Sequence, residues 1–401
     1  MKSLRELYRV GVGPSSSHTM APYSACVEIK NKYNQNAKFT VTLYGSLCDT
    51  GKGHGTDLVI KRALGEDCAV IFDAQKGNLP HPNTMKVEVK VGNESFSHEV
   101  ISLGGGAYSL DGNAPIGKEC YIQKDFTEIK EYCVKQGIRL YEYAYQNEPD
   151  IKEYLFSVWE QMKKSVKEGL DAEGILPGGL NIERKAKQLH SHLSVFEDAA
   201  TTENMIVCAY AFAVAEQNAS GGVIVTAPTC GASGVLPACL LYVQNKHGFS
   251  DEKMVNALAT GGIVGNVIKH NASISGAECG CQAEIGSACS MASAALGELF
   301  DMNKDQIEYA AEVAMEHYLG LTCDPINGLV QIPCIERNAV AAMRAINALS
   351  LAKFLTHTRK ISFDTIVHTM YTTGKDMHHA YRETSEAGLA KTFTAGVNKK
   401  G

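Results

Sequence analysis

The sequence lacks a surplus of positive charge. Its 401 residues include 38 lysines and arginines against 44 aspartates and glutamates, so the formal net charge is −6. A protein that binds nucleic acid or an anionic membrane needs clustered positive charge to neutralise phosphates. We therefore expect neither partner. The 45% hydrophobic and 20% charged content is instead typical of a globular protein with sizeable cores.

The sequence also lacks the features of an exported or membrane protein. We find no stretch that combines the length and hydrophobicity of a membrane-spanning helix. The segment from Met1 to Glu6 carries charges with no apolar run behind them, so it does not resemble a secretory signal. We predict a cytoplasmic protein.

Cysteine, by contrast, is abundant, with 13 residues. An odd number in a large chain without a secretory signal indicates reduced thiols, and most free cysteines are buried apolar residues. Cys323 and Cys334 flank a loop that contains proline and glycine, and Cys281 can supply a third thiol. Three thiolates suit a soft metal centre, either an iron–sulfur cluster or zinc. The chain lacks the tight Cys-x-x-Cys pair or His/Cys tetrad typical of zinc, and spacing alone leaves buried structural thiols as an alternative.

Two hydrophobic periodicities divide the chain. Alternating apolar residues predict strands at 38–43, 85–91 and 96–103, whereas helical patterns dominate after Asp125. We predict an α+β protein. An N-terminal α/β, sandwich-like domain with a mostly antiparallel sheet spans residues 1–140, and a larger, mainly α-helical catalytic domain spans residues 141–401.

Several polar segments accompany the thiols. Ser15, Ser16, Ser17 and His18 stand at a helix start, where hydroxyls, backbone N–H groups and an imidazole could bind a carboxylate; a serine-rich helix cap with a solvated histidine is the alternative. The segment 269–278 precedes Cys281, and Glu316-His317 precedes Cys323. A core of inert thiols would keep such polar groups away.

Together these segments resemble the iron–sulfur-dependent bacterial L-serine dehydratases, also called L-serine ammonia-lyases. The resemblance covers nearly the full chain and looks like the single-chain form, with β-type and α-type parts fused. The motifs that carry it are Gly-Pro-Ser-Ser-Ser-His-Thr at 13–19, Thr-Gly-Lys-Gly-His-Gly-Thr-Asp at 50–57, Leu-Pro-Gly-Gly-Leu at 176–180, Asn-Ala-Ser-Ile-Ser-Gly-Ala-Glu at 271–278, Cys-Asp-Pro to Pro-Cys-Ile-Glu-Arg-Asn at 323–338 and Arg-Glu-Thr-Ser at 382–385.

The resemblance implies a [4Fe–4S] cluster held by Cys281, Cys323 and Cys334. One iron would then have no protein ligand and would act as a Lewis acid on the hydroxyl of L-serine. The products would be pyruvate and ammonia. The resemblance also implies an oxygen-sensitive enzyme of amino-acid degradation and gluconeogenesis, and a homo-oligomer, most simply a dimer. Cys230 departs from the family pattern, which has asparagine there.

Roles for individual residues follow from the same resemblance. The candidate general base is His18 or His317, because imidazoles titrate near neutral pH; the sequence does not choose between them. The candidate substrate-binding residues are Ser15, Ser16, Ser17, His18, Asn271, Ser273, Arg337 and Lys375.

Other functions remain open at this point. The same cluster could eliminate water from L-threonine or sulfide from L-cysteine, or it could serve as a non-catalytic iron–sulfur sensor. Pyridoxal phosphate enzymes catalyse the same overall reaction by different chemistry. The chain lacks a lysine in the local setting that those enzymes use, so we expect no pyridoxal phosphate.

Overall fold

The fold is α+β, as the sequence predicts, with one main sheet in the N-terminal part and helices in the rest. The structure is a computed structural model that describes residues 1–33, 36–74, 79–81, 83–113, 117, 119–191 and 198–397. The strands are β1 (Val10–Val12), β2 (Lys38–Leu43), β3 (Ala69–Phe72), β4 (Thr84–Val91), β5 (Glu94–Gly104), β6 (Ala107–Leu110) and β7 (Val223–Val225).

The main sheet has five strands in the order β3-β2-β4-β5-β6. Only the β2–β3 pair among its neighbours is parallel, so the predicted antiparallel character is confirmed. Gly92 has a positive φ of 60° at the turn from β4 to β5, a conformation that glycine adopts at no steric cost. The inward-facing residues of β2 and β4, such as Val41 and Val87, pack against two helices in a core of their own.

The helices carry the rest of the chain. Those of the first 200 residues are α1 (Ala21–Asn31), α2 (Gly45–Asp49), α3 (Gly51–His54), α4 (Thr56–Leu64), α5 (Phe126–Gln136), α6 (Leu140–Asn147), α7 (Ile151–Asp171), α8 (Ala186–Ser191) and α9 (Ala199–Ala219). The later ones are α10 (Val235–His247), α11 (Asp251–Asn271), α12 (Gly276–Cys279), α13 (Ser287–Leu299), α14 (Lys304–Glu316), α15 (Cys334–Leu355), α16 (Phe363–Asp376) and α17 (Gly388–Val397).

The N-terminal segment ties the two parts together. Leu4, Leu7 and Tyr8 are fully buried in the large helical core, and Tyr8 donates a hydrogen bond to the carbonyl of Leu258 over 2.9 Å. Strand β1 then pairs antiparallel with β7. The chain therefore starts inside the helical part before it enters α1 and the sheet, and the turn between β1 and α1 lies where the two parts meet.

Helix α15 corrects one expectation from the sequence. The stretch Cys334–Thr358 contains an 18-residue window with a mean hydropathy of 1.2, of which 39% is buried, and it is long and apolar enough to cross a membrane by length and composition. In the fold, α15 packs against α9, α10, α13 and α14. Its buried face is rich in alanine, including Ala341, Ala342 and Ala345, and small side chains let neighbouring helices approach closely. These contacts are those of a core helix.

Candidate active site

One cavity collects chemistry from both parts of the chain. The N-terminal part contributes the serine turn after β1, a histidine at the end of α3 and a glycine turn after β5. The helical part contributes three thiols and two carboxylates. The lining residues are Pro14, Ser15, Ser16, Ser17, His54, Gly104, Gly105, Thr229, Gly231, Ile274, Ser275, Gly276, Cys281, Glu284, Ile285, Cys323, Pro325, Val330, Cys334 and Glu383.

The three thiols predicted as ligands all face this cavity. Cys281 precedes a π-helical turn, Gln282–Gly286, a type of turn that is frequent at functional sites. Cys323 lies in a loop, where its N–H donates to the carbonyl of Tyr381 and its own carbonyl accepts from the N–H of Glu383, each over 2.8 Å. Cys334 is the first residue of α15. Three separate segments of the helical part thus bring their sulfurs to one place.

The thiols share one nearby positive charge. Arg337, one helical turn after Cys334, donates from Nη1 to the carbonyl of Thr322 over 2.8 Å and lies 3.6 Å from the carboxylate of Asp324. Burial lowers the pKa of Arg337, but the charges of Cys281 and Cys334 outweigh burial and raise that pKa. A guanidinium held in this way stabilises negative charge on the sulfurs.

Without a bound metal, Cys323 and Cys334 hold their protons. Hydrogen bonding to Cys281, followed by burial, raises the pKa of Cys323 well above its ordinary value. Burial, followed by the charge of Cys281, does the same for the pKa of Cys334. A soft metal displaces such protons when it binds. The atoms of Cys281, Glu284 and Cys323 that could bind a metal lie within 4.8 Å of one another, so this group could hold one.

The serine turn forms the opposite wall. The hydroxyl of Ser15 accepts a hydrogen bond from the N–H of His18 over 3.2 Å, and the hydroxyl of Ser16 accepts from the N–H of Cys230 over 3.0 Å. Ser16 and Ser17 begin the helical segment, so their own N–H groups have no carbonyl partner within it. Such a helix start favours an anion such as a carboxylate.

Two stacked histidines lie behind and beside this turn. The rings of His18 and His54 are 4.4 Å apart. Nδ1 of His18 is 2.8 Å from the Ser17 hydroxyl, and Nε2 is 3.2 Å from the Ser46 carbonyl. Burial, followed by the charge of His54, lowers the pKa of His18 well below its usual range. Both nitrogens of His18 are therefore engaged, and its ring orients Ser17.

His54 is the histidine that reaches the cavity. Its Nδ1 lies 3.0 Å from the carbonyl of Thr50, which requires a proton on Nδ1 and leaves the lone pair on Nε2. That Nε2 is buried and has no hydrogen-bond partner among the described residues. Burial lowers the pKa of His54 to about 4. At neutral pH His54 is an uncharged imidazole with a free lone pair.

Two carboxylates complete the cavity wall. Glu284 accepts a hydrogen bond at Oε1 from Thr229 over 2.7 Å, and its Oε2 lies 4.0 Å from the sulfur of Cys281. Glu383 has a positive φ of 59°, and its carboxylate lies within 4.8 Å of ring nitrogens of His18 and His54. Burial, followed by the charge of Glu284, raises the pKa of Glu383 to about 8. Glu383 therefore carries a proton at neutral pH.

Some residues predicted for the site lie elsewhere. His317 is exposed, at the end of α14, with Nδ1 2.7 Å from the carbonyl of Val313. Asn271 ends α11, where its amide donates to the carbonyls of Lys124 and Val267. The amine of Lys375 lies 2.5 Å from the carboxylate of Glu278 on the surface. These polar groups are used by local structure and do not line the cavity.

Two further residues singled out in the sequence, Ser273 as a substrate-binding candidate and Cys230 as a departure from the family pattern, do not line the cavity. Ser273 accepts from the N–H of Ser275 over 3.1 Å, and it is Ser275 that lines the cavity. Cys230 is 1% exposed, and burial raises the pKa of its thiol to about 12, so it remains a neutral thiol behind Ser16.

Sequence reasoning assigned no role to His54, Glu284 or Glu383. A signal existed for each of them. His54 and Glu383 lie within the motifs at 50–57 and 382–385, and Glu284 follows Cys281 by three residues, a spacing that places two side chains on one face of a helical turn.

Comparison with known proteins is consistent across the chain. The family described as serine dehydratase alpha chain matches residues 82–390, and that described as serine dehydratase beta chain matches residues 3–68. L-serine dehydratase 1 of Escherichia coli (strain K12) is 39% identical, over 97% of this chain and 99% of that one. The L-serine dehydratase of Helicobacter pylori (strain 26695) is 38% identical, over 98% of this chain and 99% of that one. The L-serine dehydratase of Streptomyces coelicolor is 36% identical, over 97% of this chain and 98% of that one. The chain thus belongs to the serine dehydratase family, with its alpha and beta parts in one polypeptide.

Proposed function

We propose that this protein converts L-serine to pyruvate and ammonia with a [4Fe–4S] cluster held by Cys281, Cys323 and Cys334. The observation that carries the proposal is the shared cavity. Three thiols from separate segments share one cavity with a helix start suited to a carboxylate and with the neutral histidine His54. The relatives named above are L-serine dehydratases, and this combination matches the needs of that reaction.

The thiols fit the proposed cluster because of their number and their surroundings. Three cysteines line one cavity, the guanidinium of Arg337 balances their charge, and Gly276 leaves room beside them: a Cβ there would come within 3.2 Å of the Cys323 sulfur. When bound, the cluster supplies a Lewis acid that makes the substrate hydroxyl a better leaving group.

The chain itself binds and orients the substrate. We assign the carboxylate of L-serine to the N–H groups of Ser16 and Ser17, where the helix start favours negative charge. The Ser17 hydroxyl is held by His18 over 2.8 Å, so it is fixed before the substrate arrives. Fixed donors of this kind lower the entropy cost of reaching a reactive geometry.

Proton transfer falls to His54 and Glu383. His54 has a free lone pair at Nε2 inside the cavity, so we assign it as the base that removes the Cα proton. Glu383, with its pKa raised to about 8, is the acid that protonates the departing hydroxyl. Loss of the Cα proton to His54, and of the hydroxyl as water with the proton from Glu383, leaves aminoacrylate, which tautomerises to an imine and hydrolyses to pyruvate and ammonia.

The first test is anaerobic purification followed by an absorption spectrum, iron analysis and a pyruvate assay with L-serine. We expect brown protein with serine turnover, and joint loss of both in air. L-threonine and L-cysteine in the same assay test the substrate. Colourless, zinc-containing protein would contradict the cluster, and an intact cluster without turnover of any of the three would favour the sensor function.

A further inference from the structure

Glu284 is placed among the thiols rather than among the histidines. Its Oε2 lies 4.0 Å from the sulfur of Cys281, and the group formed by Cys281, Glu284 and Cys323 has its potential ligand atoms within 4.8 Å of one another. A Cβ at Gly276 would lie 2.6 Å from the same Oε2 and 3.2 Å from the sulfur of Cys323. A side chain at 276 would therefore displace this oxygen.

The direction of the carboxylate is set by its surroundings. Thr229 donates to Oε1 over 2.7 Å, which leaves Oε2 as the oxygen that points toward the sulfurs. The π-helical turn Gln282–Gly286 carries Glu284 three residues after Cys281. Cys281 and Glu284 thus project from one turn in the same direction, as pairs of metal ligands on helices do.

Within the described part of the chain, no lysine or arginine lies within ion-pair distance of Glu284; Arg337 pairs with Asp324, and its charge acts on Glu284 only from a longer distance. A carboxylate removed from water without a partner is costly. Glu383, the other carboxylate of the cavity, is grouped with His18 and His54. A cation bound among the thiols would give Glu284 a charged partner in direct contact, beyond the long hydrogen bond that its Oε2 accepts from the thiol of Cys281.

We propose that Glu284 is a fourth, displaceable protein ligand of the metal centre. In the absence of substrate, Oε2 binds the iron that the three cysteines leave without a protein ligand. Carboxylate oxygen is a harder and more exchangeable ligand for iron than thiolate. It therefore retains the fourth iron in the resting protein and still leaves that position to L-serine. This inference rests on the proposed cluster.

The variant Glu284→Gln tests this role with little change in shape. Its amide oxygen can still accept from Thr229, but an NH₂ group replaces the ligand oxygen. The matched control is Glu383→Gln, which removes the other cavity carboxylate. Iron per chain and the electron paramagnetic resonance signal of the three-iron cluster are followed during controlled exposure to air. We expect Glu284→Gln to lose the fourth iron roughly tenfold faster than the wild type, and Glu383→Gln to match the wild type.

A second measurement identifies the ligand in the unaltered protein. The reduced cluster is examined by electron paramagnetic resonance in water enriched in the magnetic isotope of oxygen. If Glu284 occupies the fourth iron, the substrate-free wild type shows no line broadening from bound water, and Glu284→Gln shows it. This comparison does not depend on turnover.

Two outcomes overturn the inference and can be told apart. A Glu284→Gln protein that keeps its fourth iron like the wild type, or a wild type already broadened by labelled water, removes Glu284 as a ligand and leaves the proposed dehydratase intact. A wild type that holds no iron–sulfur cluster after anaerobic purification overturns the proposed function together with this inference.

Discussion

The two walls of the cavity differ in the chemistry they bring and in the region of the chain that supplies it. The wall from the N-terminal part presents Ser16, Ser17 and His54, which in our proposal bind an anion and accept a proton. The wall from the helical part presents three thiols and Glu284, which suit a metal. Glu383 comes from the helical part but faces the histidines. Each wall alone is incomplete, so the reaction we propose depends on how the two parts are joined.

The largest expected effect comes from replacing one of the three cysteines that line the cavity. Replacing Cys323 by serine (Cys323→Ser) should abolish cluster binding and turnover, because a hydroxyl is a poor substitute for a soft thiolate ligand. Iron and sulfide analysis of anaerobically purified protein measures this. Cys279→Ala is the control, because Cys279 is buried two residues from Cys281 but does not line the cavity. Equal iron loss in both variants would contradict the assignment.

Replacing the cavity histidine His54 should leave the metal bound. We expect His54→Asn to lower kcat by roughly 10² to 10⁴, the range for loss of a general base, with unchanged iron content. His317→Ala should retain normal turnover because His317 is exposed and does not line the cavity. Steady-state kinetics with L-serine separates the two. A His317 variant that is inactive while His54→Asn is active would reverse our choice of base.

The pH dependence of turnover tests the acid role that we propose for Glu383. Glu383 acts in its protonated form, which predominates below its pKa of about 8, so kcat should fall as pH rises through that value. An amide does not titrate, so Glu383→Gln should be slower, by up to roughly a hundredfold, and should lose this alkaline limb. A profile of kcat from pH 6 to about 10, across the usual pKa ranges, measures it. If kcat of Glu383→Gln still fell at alkaline pH as in the wild type, the fall would come from the titration of another group.

The smallest expected effect comes from adding a methyl group beside Glu284 and the thiols. Gly276→Ala places a methyl group 2.6 Å from Oε2 of Glu284, so the carboxylate must shift away from the sulfurs. We expect severalfold faster loss of iron in air with a normal fold. Gly231→Ala is the matched control, because its Cβ would meet Glu284 at an ordinary 3.6 Å. Equal rates of iron loss in these two variants would show that the position of Glu284 does not matter.

The regular elements were largely predictable because their burial is one-sided. Apolar residues are buried at every second position of β2 and β4, for example Val41 and Val87, and α7 buries one apolar face, so their periodicity is visible in the sequence. Helix α10 escaped prediction because Val235–His247 is buried on most of its surface and shows little periodicity. The pairing of β1 with β7 joins short segments far apart in the chain, and no local pattern reports such a contact.

The sequence by itself determined the class of the protein, its family and the segments that carry chemistry. Residue types and local spacing drew attention to the three cysteines and the serine turn, and the family resemblance, which rests on short motifs, made them the predicted site residues. Only the tertiary structure decided which other side chains share their cavity. His54, Glu284 and Glu383 reach it, whereas His317 and Asn271 do not, because orientation and the protonation that burial imposes arise from contacts between segments far apart in the chain.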